Sequence, residues 1–124
     1  MFCFRFVDVC TSWNDARWAC RLEDADLSVL DDVNLKPFTD IVKEQFPTGN
    51  NCSIPSSVWL GAMTDNMRVG RYVDGSSIPS NISLWSGGEP DTPGDCILVG
   101  YDGSTSFLLD HPCNTTTRYV CQYF

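Results

Sequence analysis

A chain of 124 residues that is 43% hydrophobic and 12% aromatic can bury a core, which excludes an intrinsically disordered segment. Its net charge of −8, from 8 Lys and Arg against 16 Asp and Glu, leaves little to grip phosphates, so no nucleic acid partner is expected. No apolar run approaches the ~18 residues of a membrane span, so this segment is not expected to be membrane-spanning, and residues 1–124 are expected to form one domain.

The chain opens on "MFCFRFVDVC", in which Phe2 to Val9 alternates aromatic or aliphatic with polar residues and predicts a strand. Arg5 and Asp8 interrupt it, so it is not a signal peptide; either a leader has been removed or the domain was excised from a longer protein. The next stretch, "TSWNDARWAC", predicts a helix capped by Ser12, with Asp15 completing a capping box at the positive end of the helix dipole. Trp13, Ala16 and Cys20 share its inward face, whereas Trp18 falls off the stripe and is expected to be exposed. A second helix is predicted over "NLKPFTDIVKEQF", with Asn34 as cap, Pro37 in the first turn, and Leu35, Phe38, Val42 and Phe46 on one face. Pro47-Thr48-Gly49 should end it.

From Val58 onward the pattern changes to short apolar runs: "VWLGAM", "GRYVDG", "CILVGYDG", "SFLLD" and "RYVCQYF". These predict strands, with turns at Asp74-Gly75 and Asp102-Gly103. Between residues 74 and 95 lies a Gly/Pro/Ser-rich loop without periodicity. The fold class is α+β: two helices, a mostly antiparallel sheet and a long loop region.

Seven cysteines in so short a chain point to an oxidising compartment. Zinc is disfavoured, because there is no C-x-x-C pair and His111 is the only histidine. Three glycosylation sequons, Asn51-Cys52-Ser53, Asn81-Ile82-Ser83 and Asn114-Thr115-Thr116, agree with a glycoprotein that is secreted or is the extracellular domain of a larger protein. The odd cysteine fits either excision or an intermolecular bridge.

Within the long loop, "GGEPDTPGDC" places three carboxylates and two prolines before Cys96. Two readings stand side by side: a solvated acidic turn, or a stiffened loop that holds a cation.

The order of "SWNDARWAC", "WLGAMTD", "NISLWSGGEPD", the Cys96 to Cys113 interval and "RYVCQ" resembles the C-type lectin domain over nearly the whole chain. The resemblance implies a disulfide-stapled fold with bridges Cys20–Cys121 and Cys96–Cys113. It makes Cys3 the second member of an N-terminal hairpin bridge whose partner would lie upstream, which leaves Cys10 to pair with Cys52. It also implies core positions for Trp13 and Trp59 and a packing position for Trp85; Trp18 and Tyr101 are then the aromatics expected at the surface. In lectins of this family a tripeptide with a cis proline aims two side chains at a calcium ion, and the same groups bond sugar hydroxyls. Glu89-Pro90-Asp91 matches that tripeptide in hybrid form, and Asp110 matches the aspartate of the Trp-Asn-Asp motif.

Two departures stand out. The asparagine of that motif is Leu109, and the glutamate two residues before the cysteine is Gly94, for which Asp95 substitutes only if the loop shifts. The implied metal ligands are therefore Glu89, Asp91, Asp95 and Asp110, with Glu89, Asp91 and Asp110 also binding ligand, and Ca2+ as cofactor. An auxiliary calcium site would keep only Asp65 and Asp95, since Val69 and Thr92 stand at its other positions.

Three functions follow. One is a calcium-dependent module for a glycan or glycoprotein ligand, which the retained carboxylates favour. The second is a calcium-independent lectin-like domain with a protein or other ligand, which Leu109 favours. The third, an enzyme, is not expected: no nucleophile motif accompanies His111, which is taken as a loop residue.

Overall fold

The alternation at the start of the chain forms β1 (Cys3–Thr11), whose register against the last strand runs from Cys3 opposite Tyr123 to Thr11 opposite Thr117. The computed structural model describes residues 3–46, 51–54, 56–79, 82, 84–85, 95–102 and 105–123, with the backbone alone at 32 and 33. Helix α1 (Trp13–Arg21) follows, and the Ser12 hydroxyl accepts from the Asp15 N–H as the capping box requires. Trp13, Ala16 and Cys20 are buried, and Trp18 is 66% exposed. A short strand β2 (Asp26–Leu27) comes next.

Helix α2 (Asp32–Gln45) begins earlier than its sequence suggests. Asp31, not Asn34, is the cap: its carboxylate accepts from the Asn34 backbone N–H at 2.9 Å and from Asn34 Nδ2 at 2.7 Å. Asn34 is thus the third residue of the first turn and donates twice to the cap, and Pro37 falls in the second turn rather than the first. The segment 47–49, expected to stop this helix, lies outside the described residues.

Strands β3 (Ser57–Thr64), β4 (Gly70–Tyr72), β5 (Ser77–Ile78), β6 (Cys96–Asp102), β7 (Thr105–His111) and β8 (Thr117–Tyr123) complete the described elements. The two-residue strands β2 and β5 carry too little pattern to be read beforehand. His111 ends β7 opposite Cys96 and is not a loop residue. The sheet order is β1-β8-β3-β4-β5, with β6 paired to β3 and β7, and β2 to β8. Among the described strand pairs only β3 with β8 is parallel.

The continuous apolar runs of β3 and β6 are explained by a sheet covered on both faces. Val58, Leu60, Ala62, Ile97, Val99, Leu108 and Val120 pack with Leu35, Phe38 and Val42 of α2 and with Phe46, its C-cap. Their chain neighbours Trp59, Leu98, Tyr119 and Cys121 pack with Trp13, Ala16 and Cys20 of α1. One strand therefore feeds two cores through its period of two. The buried indoles are satisfied: Trp13 Nε1 donates to the Leu60 carbonyl at 2.7 Å and Trp59 Nε1 to that of Thr11 at 2.9 Å.

Tyr101 corrects the expectation of exposure. It is 8% exposed, its hydroxyl donates to the Phe46 carbonyl at 2.6 Å and accepts from Arg118 Nη2 at 2.9 Å, and burial pushes its phenol up. The Arg118 guanidinium in turn lies over the Phe46 ring, 4.4 Å from its centroid.

Three bridges close as the family resemblance implies: Cys20–Cys121, Cys96–Cys113 and Cys10–Cys52. Cys3 is exposed and unbridged.

Gly61, within "WLGA", shows why that run needs a glycine. A Cβ there would lie 2.8 Å from the Leu27 carbonyl oxygen, and backbone cannot swing aside as a side-chain tip can. Gly61→Ala is expected to lower unfolding free energy by about 1–3 kcal/mol, measured by denaturant titration.

Candidate functional site

The β6–β7 hairpin sets Asp110 opposite Ile97, near the end where Cys96–Cys113 ties the strands to the following loop. By strand alternation Asp110 shares the face of Leu108, and it is only 7% exposed. Its Oδ2 accepts from the Thr64 hydroxyl at 3.2 Å, and the Thr64 N–H donates to the Asp95 carbonyl at 2.7 Å. Thr64, itself 3% exposed, thus links the two described members of the expected carboxylate set. Sequence reasoning passed over Thr64. The available signal was its place as the one polar residue on the inward parity Val58, Leu60, Ala62, Thr64 of β3.

Leu84 and Trp85, which precede the segment with the other two carboxylates, are anchored beside this pair. Trp85 forms a bridge with Leu108, the Leu108 N–H donates to the Leu84 carbonyl at 2.7 Å, and Trp85 Nε1 donates to the Pro79 carbonyl at 2.9 Å. Trp85 is thus held two positions along β7 from Asp110, and Asp95 is held by Thr64. Glu89, Asp91, Gly94 and the peptide bond between Glu89 and Pro90 lie outside the described residues. Among the described residues no three acidic, histidine or cysteine side chains converge as metal ligands.

Leu109 turns to the opposite face of β7, where it packs half-buried against the α1-side core. It adds no oxygen and holds its place by apolar contact.

The auxiliary position is chemically engaged from within the chain. Asp65 accepts from the Val69 N–H at 3.0 Å, the Met67 N–H at 2.8 Å and Arg71 Nε at 2.8 Å. Those bonds, the Val69 amide first and the Arg71 guanidinium next, hold its carboxyl below the ordinary carboxylate range. Because the folded value is depressed, the turn's contribution to stability is present above the unfolded value and lost as pH falls through the folded one. Arg71→Ala is expected to move the Asp65 titration up toward an ordinary carboxylate, read by NMR of the side-chain carboxyl. An unmoved titration would leave the backbone donors as the whole cause. Beside this turn an open groove of 520 Å³ is lined by Trp13, Arg17, Met63, Thr64, Asp65 and Arg71, among other residues.

A family model described as "Lectin C-type domain" matches residues 10–123. Asialoglycoprotein receptor 2 of Mus musculus is 27% identical over 128 residues, covering 97% of this chain, and the chain spans 38% of that receptor's length. Among solved structures, the C-type lectin domain of murine dendritic cell inhibitory receptor 2 in complex with N-glycan superposes with a TM-score of 0.75 at 21% identity, covering 98% of this chain and 89% of that one. A Ca2+-dependent type II antifreeze protein in its Ca2+-free form gives 0.73 at 25% identity, covering 99% and 92%.

Proposed function

The chain belongs to the C-type lectin domain family, and on that premise we propose that this lectin-like binding module takes a glycan or glycoprotein ligand through a calcium site in its long loop, in an extracellular setting. The observation that carries the reading is that Trp85 and Asp95, which flank residues 86–94 in the sequence, are both held near the buried Asp110 carboxylate, Trp85 by its bridge to Leu108 and Asp95 through Thr64. A carboxylate removed from water needs donors or a cation, and the Thr64 hydroxyl is one such donor to Asp110, at 3.2 Å.

The donor set fits a hard cation. Glu89, Asp91, Asp95 and Asp110 supply only oxygens, as calcium prefers. Bound calcium would orient neighbouring hydroxyls of a sugar, while Glu89 and Asp91 would accept hydrogen bonds from the same hydroxyls and so select their spacing. Asp110, fixed by its strand and by Thr64, would serve as the rigid member of the set. With Leu109 giving nothing, water or ligand oxygens complete the shell, which favours weak affinity, about 10⁻⁴–10⁻³ M as in extracellular modules. Resemblance to a glycoprotein receptor and to a lectin structure solved with an N-glycan supports the choice of ligand class.

A second reading, calcium-independent recognition of a protein or other ligand, is favoured by the packed Leu109 and by Asp65 being held by Arg71. A relative by fold whose description is antifreeze protein supports ligands beyond sugar. Both readings are of a binding module and not an enzyme. Calorimetric titration with calcium, repeated after chelation, separates them: saturable heat that chelator abolishes supports the first, and none supports the second. Retention on immobilised mannose or galactose then reads the sugar class.

A further inference from the structure

Two of the three sequons, remote in the chain, meet in space. The Ser53 N–H donates to Thr116 Oγ1 at 3.2 Å, the two hydroxyl oxygens lie 3.0 Å apart, and the Ile54 N–H donates to the Thr116 carbonyl at 3.2 Å. Asn51 and Asn114, the acceptor residues of these sequons, are both exposed. Cys52, the middle residue of the first sequon, is buried in its bridge to Cys10. Ser57 and Thr117, which follow this junction, also share a hydroxyl contact, so the whole corner is closed by paired hydroxyls.

The third-position hydroxyl is the group that glycosyl transfer to asparagine requires, and it is used in an extended, accessible peptide. In the folded chain both such hydroxyls are engaged with each other, and the Cys10 bridge holds the backbone of the first sequon. Modified asparagines are still compatible with this corner, since their side chains reach solvent while the hydroxyls pair. What folding removes is access before transfer, and it removes it sooner at Asn51 than at Asn114, because Cys10 and Cys52 are both synthesised before residue 114.

We infer that Asn51 and Asn114 form a paired N-glycan site at the corner where β3 and β8 begin, Asn51 filled in competition with closure of Cys10–Cys52 and Asn114 filled independently of that bridge. In each transfer the asparagine Nδ2 attacks the anomeric carbon of a lipid-diphosphate-linked oligosaccharide. The N–C bond forms as the C–O bond to the diphosphate breaks, the lipid diphosphate leaves with that electron pair, and one amide proton passes to the medium. Bridge closure is the competing oxidation: two thiols lose two protons and two electrons to a disulfide-donating oxidoreductase of the same compartment. The paired corner lies at the opposite end of β3 from Thr64, roughly 20 Å away for seven strand steps, so the glycans leave the Asp95–Asp110 end open.

The inference rests on the extracellular reading, and the two fail differently. The 124-residue chain with a secretory leader is expressed in animal cells, and glycopeptide mass spectrometry reads occupancy at each asparagine beside disulfide mapping. Most chains should carry glycan at Asn114 and a minority at Asn51. Cys10→Ser should about double Asn51 occupancy and leave Asn114 unchanged. A brief pulse of dithiothreitol during synthesis of the unaltered chain should do the same, which guards against misfolding of the variant. Unchanged Asn51 occupancy in either arm, or a bare Asn114, overturns the inference. Free thiols at Cys20 and Cys121 would instead overturn the extracellular reading.

Discussion

Replacing Cys20 and Cys121 together with alanine is expected to lower the melting temperature by roughly 15–25 °C. The bridge joins positions 101 apart in sequence, so on the loop-entropy account it restrains nearly the whole unfolded chain and stabilises by about 4–5 kcal/mol. Both residues are fully buried in the core beneath α1, beside Leu27 and Trp59, so the change also removes two sulfur atoms from packed surroundings. The internal control is Cys96 and Cys113, only 17 apart, whose joint replacement should cost nearer ~3 kcal/mol. Calorimetry of the two double variants under one buffer decides. Equal losses would show that loop length is not what ranks these bridges.

The second large effect concerns the long loop. At about 10 mM calcium, a dissociation constant of about 10⁻⁴–10⁻³ M corresponds to roughly 1.4–2.7 kcal/mol of linked stability, or a rise in melting temperature of roughly 5–10 °C. Asp91→Ala is expected to abolish that rise while leaving the calcium-free melting temperature nearly unchanged. Leu109→Asn is expected to act in two opposed ways. Without calcium it loses apolar packing against the α1-side core and costs about 1–2 kcal/mol; with calcium its amide oxygen enlarges the calcium-dependent rise by turning out of that core toward the Asp110 end of the strand. The two parts separate because each variant is compared with itself, with and without the ion. A melting temperature indifferent to calcium in the starting chain and in Leu109→Asn would favour the calcium-independent reading.

Much of the framework was legible because it is written in short-range patterns. Ser12 capping α1 and the stripe of Trp13, Ala16 and Cys20 depend on neighbours within two turns, and the structure reproduces them. The apolar runs of β3 and β6 announced strands, and their lack of alternation is itself the mark of a sheet buried on both faces. The three disulfides followed from the order of motifs along the chain and not from spacing. The α2 cap was misread by three residues because Asn34 and Asp31 are both good caps, and only the bonds that Asn34 donates to Asp31 choose between them.

By itself, then, the sequence determined the fold class, which rests on residue type and local order, while its likeness to the lectin family implied the cystine framework and nominated the candidate carboxylates. Tertiary structure decided what those side chains do. Tyr101 can be buried because the Phe46 carbonyl, 55 positions away, accepts a hydrogen bond from its hydroxyl and Arg118 donates one to it. Asp65 is claimed by Arg71 and the turn between them, while Asp110 is brought to Thr64, 46 positions away, and through Thr64 to Asp95. The sequon hydroxyls of Ser53 and Thr116 meet across 63 positions. A polar group's partner is chosen by geometry across the fold, and a sequence read along its length records only the group.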